Sequence, residues 1–291
     1  MKILKALWPA LVLALGLFAC DTSHADKPGE KDKKEGKQEG SNNELEVLKK
    51  WELPKFLREI SGIAYLDKNR FACVQDESGV IFIYNINTGK IETQIPFGAS
   101  GDYEGIALAG KIAYVVRSDG KVFEINDITT RSPHIKEYNT ALTAKNDVEG
   151  VTYDKKGNRL LIAIKGDETD DADFKGIYQF NLTSKKLSEK PVYKIDLNDS
   201  VFAGSKTKKL SSRINPSDIA INPLTGNIYI LEGTNPQLVI LDANGTIINR
   251  YKIKGPAFTQ PEGLTFSPAG DLFISNEGKK DKGNILQVQI H

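Results

Sequence analysis

Histidine and cysteine are scarce in this chain, and their scarcity limits the chemistry it could perform. The 291 residues include three histidines, at positions 24, 134 and 291, and two cysteines, Cys20 and Cys73. No histidine is spaced for a catalytic triad or a zinc site, and neither a Gly-x-Ser-x-Gly motif nor a glycine-rich Lys-Ser/Thr phosphate loop occurs. Acid–base chemistry would have to come from carboxylates, Lys165 or a metal-bound water.

A charge excess of either sign is also lacking. The formal net charge is +1 at pH 7, and it becomes −1 once Lys2 and Lys5 are removed. A nucleic-acid partner is therefore not expected, and we expect the chain to act as a monomer. Cys73 lies in the strand-like run Phe71-Ala72-Cys73-Val74, where a buried structural thiol is expected rather than a nucleophile.

No apolar run in the sequence is long enough to span a membrane comfortably, and the longest one lies at the N-terminus. Lys2 and Lys5 precede an apolar stretch over residues 6–19, which is short for a membrane span. Its exit, Leu17-Phe18-Ala19-Cys20, resembles the lipobox of bacterial lipoproteins. That resemblance implies a signal peptide over residues 1–20 and a lipid on Cys20; a plain signal peptide cleaved nearby is the alternative.

The segment after the lipobox has almost no apolar residues. Residues 21–43 are rich in Lys, Glu, Asp and Gly, and such a segment cannot bury enough surface to offset its ordering entropy. We expect a disordered tether over residues 21–43 and one folded domain over residues 44–291. The domain would then be held to the inner or outer membrane of a bacterial cell envelope, with no disulfide if Cys20 carries lipid.

A short phrase recurs five times along the domain. Its copies are Ile60-Ser61-Gly62-Ile63-Ala64, Tyr103-Glu104-Gly105-Ile106-Ala107, Val148-Glu149-Gly150-Val151-Thr152, Pro216-Ser217-Asp218-Ile219-Ala220 and Pro261-Glu262-Gly263-Leu264-Thr265. The steps between copies are 43, 45, 68 and 45 residues. A period of about 40–50 residues with strand-like content predicts an all-β fold, a single β-propeller.

The number of blades depends on how the longest step is interpreted. It holds four strand candidates and two polar excursions, which we interpret as one blade with long loops, giving five blades; a sixth blade is the alternative. The last blade lacks residues for an outer strand, while residues 46–53 form a strand-like run without a blade. We therefore expect the N-terminal strand to close the ring and cover an exposed edge.

Polar residues recur at two repeat positions that open on one face of a propeller, which we call the mouth. The position entering the first strand holds Ser61, Glu104, Glu149, Ser217 and Glu262, and the position leaving the second strand holds Gln75, Arg117, Lys165, Glu232 and Asn276. Nearby acids are Glu59, Asp76, Asp102, Asp147, Asp218 and Glu277. We expect a ligand site there, formed by Ser61, Gln75, Glu104, Arg117, Glu149, Lys165, Ser217 and Asn276.

Two interpretations of these charges stay open. Glu104 with Arg117, and Glu149 with Lys165, could form ion pairs that only fix blade geometry. Glu232, Glu262 and Glu277 have no basic residue at either repeat position, so a bound Ca²⁺ with these three carboxylates as ligands would relieve their repulsion. The acidic loop 167–173 is a second possible Ca²⁺ site, or simply a solvated loop.

The repeated phrases together resemble the SdiA-regulated (YjiK-like) family. The resemblance rests on residues 59–64, 102–107, 147–152, 215–220 and 260–265, followed by Ile274-Ser275-Asn276-Glu277-Gly278, and it extends over the whole domain. It implies an envelope-associated propeller, similar to phytase-like, gluconolactonase-like and strictosidine-synthase-like propellers, whose mouths hold metals. It implies no settled reaction.

Three functions follow as hypotheses. The first is a lipid-anchored, Ca²⁺-associated propeller that binds a small ligand or an envelope protein. The second is a metal-dependent hydrolase of an ester, a lactone or a phosphoester, with Arg117 and Lys165 holding an anionic group. The third is a scaffold that uses only its outer surface. Whether Arg117 and Lys165 are free to face the mouth discriminates the phosphoester hypothesis from the others.

Overall fold

A computed structural model describes residues 45–130, 132–168, 172–205, 207 and 209–291. The predicted signal peptide, the lipidation site Cys20 and the predicted tether lie outside the described residues. No helix within those ranges has the length and apolar character needed to cross a bilayer.

The regular structure of the described residues is almost entirely β-strand. The first strand is β1 (Leu45–Glu52), and the next four form blade one: β2 (Ile60–Asp67), β3 (Arg70–Gln75), β4 (Val80–Asn85) and β5 (Lys90–Pro96). Blade two comprises β6 (Tyr103–Ala109), β7 (Ile112–Arg117), β8 (Val122–Asn126) and β9 (His134–Tyr138). Short 3-10 turns occur at Lys55–Leu57, Ser200–Phe202 and Leu210–Ser212.

The longest repeat step forms one blade, as predicted. Blade three comprises β10 (Val148–Asp154), β11 (Arg159–Ile164), β12 (Phe174–Asn181), β13 (Lys186–Leu187) and β14 (Tyr193–Asp196). Both β13 and β14 pair with β12, so these strands make a single sheet. Blade four comprises β15 (Asp218–Ile221), β16 (Ile228–Glu232), β17 (Gln237–Leu241) and β18 (Ile247–Lys252). The extra length therefore lies in loops, and the count of five blades is confirmed.

The ring is closed by the N-terminal strand, which confirms the second prediction about the fold. Blade five contains β19 (Pro261–Phe266), β20 (Leu272–Asn276) and β21 (Asn284–Ile290), and β1 pairs antiparallel with β21 as its outer strand. The pairing runs from Leu45 opposite Ile290 to Glu52 opposite Asn284. The first strand of the domain and its last strand therefore share one sheet, which covers the edge of β21.

The repeated phrase builds the wall around the propeller axis. The innermost strands touch in a closed order, β2 to β6, β6 to β10, β10 to β15, β15 to β19 and β19 to β2. A Cβ on Gly105 would lie 2.9 Å from the backbone oxygen of Glu149, and a Cβ on Gly150 would lie 2.6 Å from the Cα of Asp218. Real Cβ atoms do not approach backbone this closely, so the motif glycines let neighbouring inner strands meet.

The hydrophobic core is divided among the blade interfaces. Buried side chains form five clusters, and each cluster joins two neighbouring blades. Cys73 is fully buried in the cluster between blades five and one, and burial raises the pKa of its thiol. A thiol that stays protonated inside apolar packing is inert, which confirms the structural role expected of Cys73.

Candidate functional site

The glutamates of the repeated phrase are presented by β-bulges. Where β6 pairs with β7, the register jumps between Tyr103 and Gly105, so Glu104 is the extra residue. The same jump leaves Glu149 extra in blade three and Glu262 extra in blade five. A bulge re-aims a side chain out of the sheet. Strands that bury their other residues can therefore direct a carboxyl into the mouth.

These side chains meet in a small cavity at the mouth, with a volume of about 170 Å³. Its lining includes Glu59, Ser61, Asp76, Asp102, Glu104, Glu149, Lys165, Gln260, Glu262 and Glu277. Seven carboxyl groups thus face one ammonium group, and one of the seven, Glu59, also pairs with Arg58 at 2.6 Å from outside the lining. The structure brings together six of the predicted site residues, namely Ser61, Glu104, Glu149, Lys165, Glu262 and Glu277.

One of the two predicted ion pairs forms and the other does not. Lys165 Nζ lies 2.7 Å from Glu149 Oε1, which confirms that pair, and 4.0 Å from Asp147 Oδ2. Arg117 instead binds Asp119 through two hydrogen bonds of 2.9 and 2.6 Å, so the predicted pair with Glu104 is wrong. Asp119 lies two residues along the chain in the β7–β8 turn, and a partner so close costs little entropy to reach.

Three other predicted ligand-binding residues make contacts within the framework. The side-chain oxygen Oε1 of Gln75 accepts a hydrogen bond of 3.0 Å from the backbone amide of Ser78. The Ser217 hydroxyl donates to the Pro261 carbonyl at 3.1 Å, and Asn276 Nδ2 donates to Asn284 Oδ1 at 3.0 Å. None of Gln75, Arg117, Ser217 and Asn276 belongs to the lining of the cavity.

The three carboxylates predicted to bind a metal are not brought together. Gln260 Nε2 donates to Glu262 Oε1 and to Glu277 Oε2, both at 2.5 Å. Glu232 is fully buried outside the cavity lining, and it accepts hydrogen bonds from the Asn235 amide group at 3.2 Å and from Gln237. Glu232 is therefore satisfied by amide donors of its own blade.

Burial and like charge raise the pKa of the carboxyl groups in the mouth. Burial raises the pKa of Glu262 to about 7, although the Gln260 hydrogen bond opposes it. Burial, together with Glu59, Glu77 and Glu277, raises the pKa of Asp76 to about 6. Burying a carboxylate thus costs more here than the nearby cations offset, so these groups hold their protons to a higher pH than exposed carboxyl groups do.

Glu104 and Glu149 also have raised pKa values. Burial and then the charge of Glu149 raise the pKa of Glu104. Burial also raises the pKa of Glu149, although Lys165 pulls it down. Burial lowers the pKa of Lys165, but Glu149 more than offsets this and the net shift is upward. The one ammonium of the cavity is thus held charged by its glutamate, and it leaves Glu104 without a cation.

The cavity as described does not form a ready site for Ca²⁺. Within the described ranges, no three His, Cys, Asp or Glu side chains are placed to share one metal ion. Ca²⁺ requires six to eight oxygens, whereas Glu262 and Glu277 both accept from the Gln260 amide. Calcium binding stays a prediction, and it would require Gln260 to release these two carboxylates.

The acidic loop 167–173 is described only in part, since residues 169–171 lie outside the described residues. Asp167 accepts hydrogen bonds from Lys175 Nζ at 2.9 Å and from Lys209 Nζ at 2.8 Å, and Glu168 accepts one of 2.5 Å from the Tyr178 hydroxyl. Asp167 and Glu168 are thus engaged by protein donors.

Comparison with known proteins finds one family match, which lies in the C-terminal part of the domain. A model of the SdiA-regulated family matches residues 185–291. The resemblance to the SdiA-regulated family is confirmed there. The matched part contains blade four and the strands β19, β20 and β21 of blade five, including Gln260, Glu262 and Glu277. No protein in the curated collection matches the chain in sequence.

Solved structures similar to this chain are distant in sequence. Glutaminyl cyclase from Myxococcus xanthus is 13% identical with a TM-score of 0.57, and the match covers 85% of this chain and 97% of that chain. Selenomethionine-substituted virginiamycin B lyase from Staphylococcus aureus is 16% identical with a TM-score of 0.46, and the match covers 85% and 74% of the two chains. At these identities the likeness shows the fold alone.

The SdiA-regulated match includes one mouth residue that the sequence interpretation missed. Gln260 stands two residues before Glu262, as Asp102 stands before Glu104 and Asp147 before Glu149. This third repeat position could have indicated the site. Glu59, Asp102 and Gln260 line the cavity, and Asp147 lies within 4.0 Å of Lys165, so four of its five members lie at or beside the mouth. The polar character of the position, rather than its charge, was the common feature.

Proposed function

We propose that this chain is a lipid-anchored propeller of the bacterial cell envelope that acts as a binding module and takes up a positively charged ligand at its mouth. The observation that carries the proposal is the charge of the cavity, where seven carboxyl side chains meet the ammonium of Lys165 and only Glu59 has a further basic partner, Arg58, outside the lining. Like charges in one small cavity repel, and a cation relieves the repulsion. The anchor and the location rest on the lipobox pattern that ends at Cys20.

Isothermal titration calorimetry with Ca²⁺, and separately with an alkylammonium and an alkyl diammonium salt, tests this proposal on the purified protein. We expect at least one of the three cations to bind, and Glu262→Gln to weaken that binding about tenfold or more, since a carboxylate is lost. Glu137→Gln is the matched control, because Glu137 pairs with Lys121 on the surface. Failure of Ca²⁺, the alkylammonium and an alkyl diammonium salt to bind would refute the proposal.

The same titration has an expected pH dependence. A carboxyl group with a raised pKa must lose its proton before it binds a cation, so protons compete with the ligand. The pKa values of about 7 for Glu262 and about 6 for Asp76 place this competition between pH 5.5 and 8. Cation affinity should therefore rise from pH 5.5 to pH 8, and equal affinity at both values would contradict titration of these two groups.

A hydrolase with its site at the mouth is the second candidate, and one observation favours it. A carboxyl group with a pKa of about 7, as in Glu262, suits general acid–base catalysis near neutral pH. The phosphoester form of this candidate is weakened, since Lys165 is paired with Glu149 and Arg117 with Asp119. An ester or a lactone is the substrate class that needs no free basic residue.

Hydrolysis of a panel of esters and lactones, with and without a chelator, tests the second candidate. If it holds, Glu262→Gln should lower the rate by about 10²–10⁴-fold, the usual contribution of a general acid or base. Glu137→Gln should retain the parental rate. An unchanged rate in Glu262→Gln would exclude Glu262 as the general acid or base and would contradict this candidate.

A further inference from the structure

Two pairs of carboxyl groups stand on opposite sides of blade one in the mouth. Glu262 and Glu277 of blade five converge on the Gln260 amide. Asp102 and Glu104 lie at the start of blade two and line the same cavity, where the charge of Asp102 and a hydrogen bond with it help to raise the pKa of Glu104. Because β2 lies between β19 and β6 in the ring, blade one separates the two pairs.

Blade one contributes polar groups without partners between these pairs. Ser61 is 6% exposed, lines the cavity and occupies the repeat position that holds Glu104, Glu149 and Glu262 in other blades. Its hydroxyl makes no hydrogen bond within the described part of the chain. Asp76 Oδ1 is buried without a hydrogen-bond partner. A buried polar group with no partner indicates a site whose ligand supplies one.

Three carboxylates of the mouth accept hydrogen bonds from nitrogen donors. Glu149 accepts from the alkylammonium of Lys165 at 2.7 Å, and Glu262 and Glu277 accept from an amide nitrogen at 2.5 Å. No trio of acids in the described residues is placed for one metal ion. The cavity of about 170 Å³ has room for several water volumes of about 30 Å³ each, more than a single ion needs.

Resting on the proposed uptake of a cation, we propose that the ligand of the mouth is a short aliphatic molecule with two ammonium groups. One ammonium binds Asp102 and Glu104, and the other binds Glu262 and Glu277 in place of the Gln260 amide. The methylene chain crosses blade one, and Ser61 and Asp76, which line the same cavity, can accept the N–H of each ammonium that its carboxyl pair leaves unused. Lys165 neutralises Glu149 and limits the ligand to these two ends.

Calorimetry with 1,4-diaminobutane, butylamine and Ca²⁺ on the whole protein tests this inference. The diamine should bind at least tenfold more tightly than butylamine, because only the diamine places a charge at both pairs. Glu104→Gln and Glu262→Gln should each reduce diamine affinity about tenfold, towards that of butylamine, while Glu137→Gln leaves it unchanged. Each variant removes one repelling charge, and a thermal melt verifies that it is folded.

The outcomes separate this inference from the function on which it rests. Binding of Ca²⁺ without binding of the diamine would overturn the inference and leave cation uptake standing. Equal affinities for the diamine and butylamine would also overturn it, since one pair would then suffice. If none of the three binds, both proposals fall. Competition between the diamine and Ca²⁺ on the unmodified protein supplies a readout that needs no variant, and displacement of Ca²⁺ by the diamine is expected.

Discussion

Replacing Asp218 with glycine is expected to lower the free energy of unfolding by about 3–5 kcal/mol, even though the other four blades carry glycine at this position. Asp218 is 2% exposed and lies beside the axis. Its carboxyl accepts hydrogen bonds from the Leu264 amide at 2.6 Å and the Ile219 amide at 2.8 Å, and the Val151 amide also donates to it. One side chain thus joins the inner strands of blades three, four and five.

The expected loss follows from the donors that would be left. A buried N–H without a partner costs about 1–3 kcal/mol, and glycine in a strand adds about 0.5–1 kcal/mol of backbone entropy. Urea denaturation of Asp218→Gly measures the sum. Asp242→Gly is the matched control: Asp242 also accepts from two backbone amides, those of Asn244 and Thr246, but in an exposed turn where water can replace it. Equal losses in the two variants would contradict a role for burial at the axis.

The architecture could be predicted because a repeat reports the same local geometry several times. Each copy of the phrase joins a polar residue to a glycine and a hydrophobic run, and the structure shows why. Glu104 occupies a bulge, and Gly105 allows the next inner strand to approach. The spacing alone then determines the number of blades, and the leftover strand before the first copy has only one open edge to pair with, that of β21.

Individual partners were less predictable, because short-range competition decides them. The repeat places Arg117 opposite Glu104, but Asp119 offers a carboxylate two residues away and forms a bidentate contact. Glu232 has no base at its repeat position, yet amide groups from Asn235 and Gln237 satisfy it. Counting charges at repeat positions ignores amide donors, and for the same reason Gln260 was missed between Glu262 and Glu277.

Asp218 illustrates the opposite error, where a departure from the repeat carries structural information. As one of several nearby acids, it seemed part of the mouth, but it does not line the cavity. Its bonds to the amides of Ile219 and Leu264 lie within the wall. Which acid faces solvent and which faces backbone depends on the bulge: Glu104, Glu149 and Glu262 are extra residues in their ladders, whereas Asp218 is paired in register with Leu231.

The second large effect is expected at Lys175, whose side chain is 1% exposed. Its Nζ donates to the carbonyl oxygens of Lys165 at 2.6 Å and Gly166 at 2.9 Å, and to Asp167 Oδ1 at 2.9 Å. Lys175→Met keeps most of the side-chain volume but removes all three hydrogen bonds. Losing hydrogen bonds from a charged donor costs about 1.5–3 kcal/mol, and Asp167 keeps its contact with Lys209, so we expect a loss of that size. The measurement is again urea denaturation.

Lys194→Met is the control for this change, since Lys194 stands opposite Gly176 on the paired strand β14 and is exposed, with its Nζ 4.0 Å from the centre of the Phe174 ring. Its loss should be within about 1 kcal/mol. Lys175 donates to the backbone oxygen of Lys165, whose side chain lines the cavity. Lys175→Met should therefore also change the affinity for a cationic ligand. A large loss of stability with an unchanged affinity would show that Glu149 alone positions Lys165. A loss no greater than that of Lys194→Met would show that the three hydrogen bonds of Lys175 add nothing to stability.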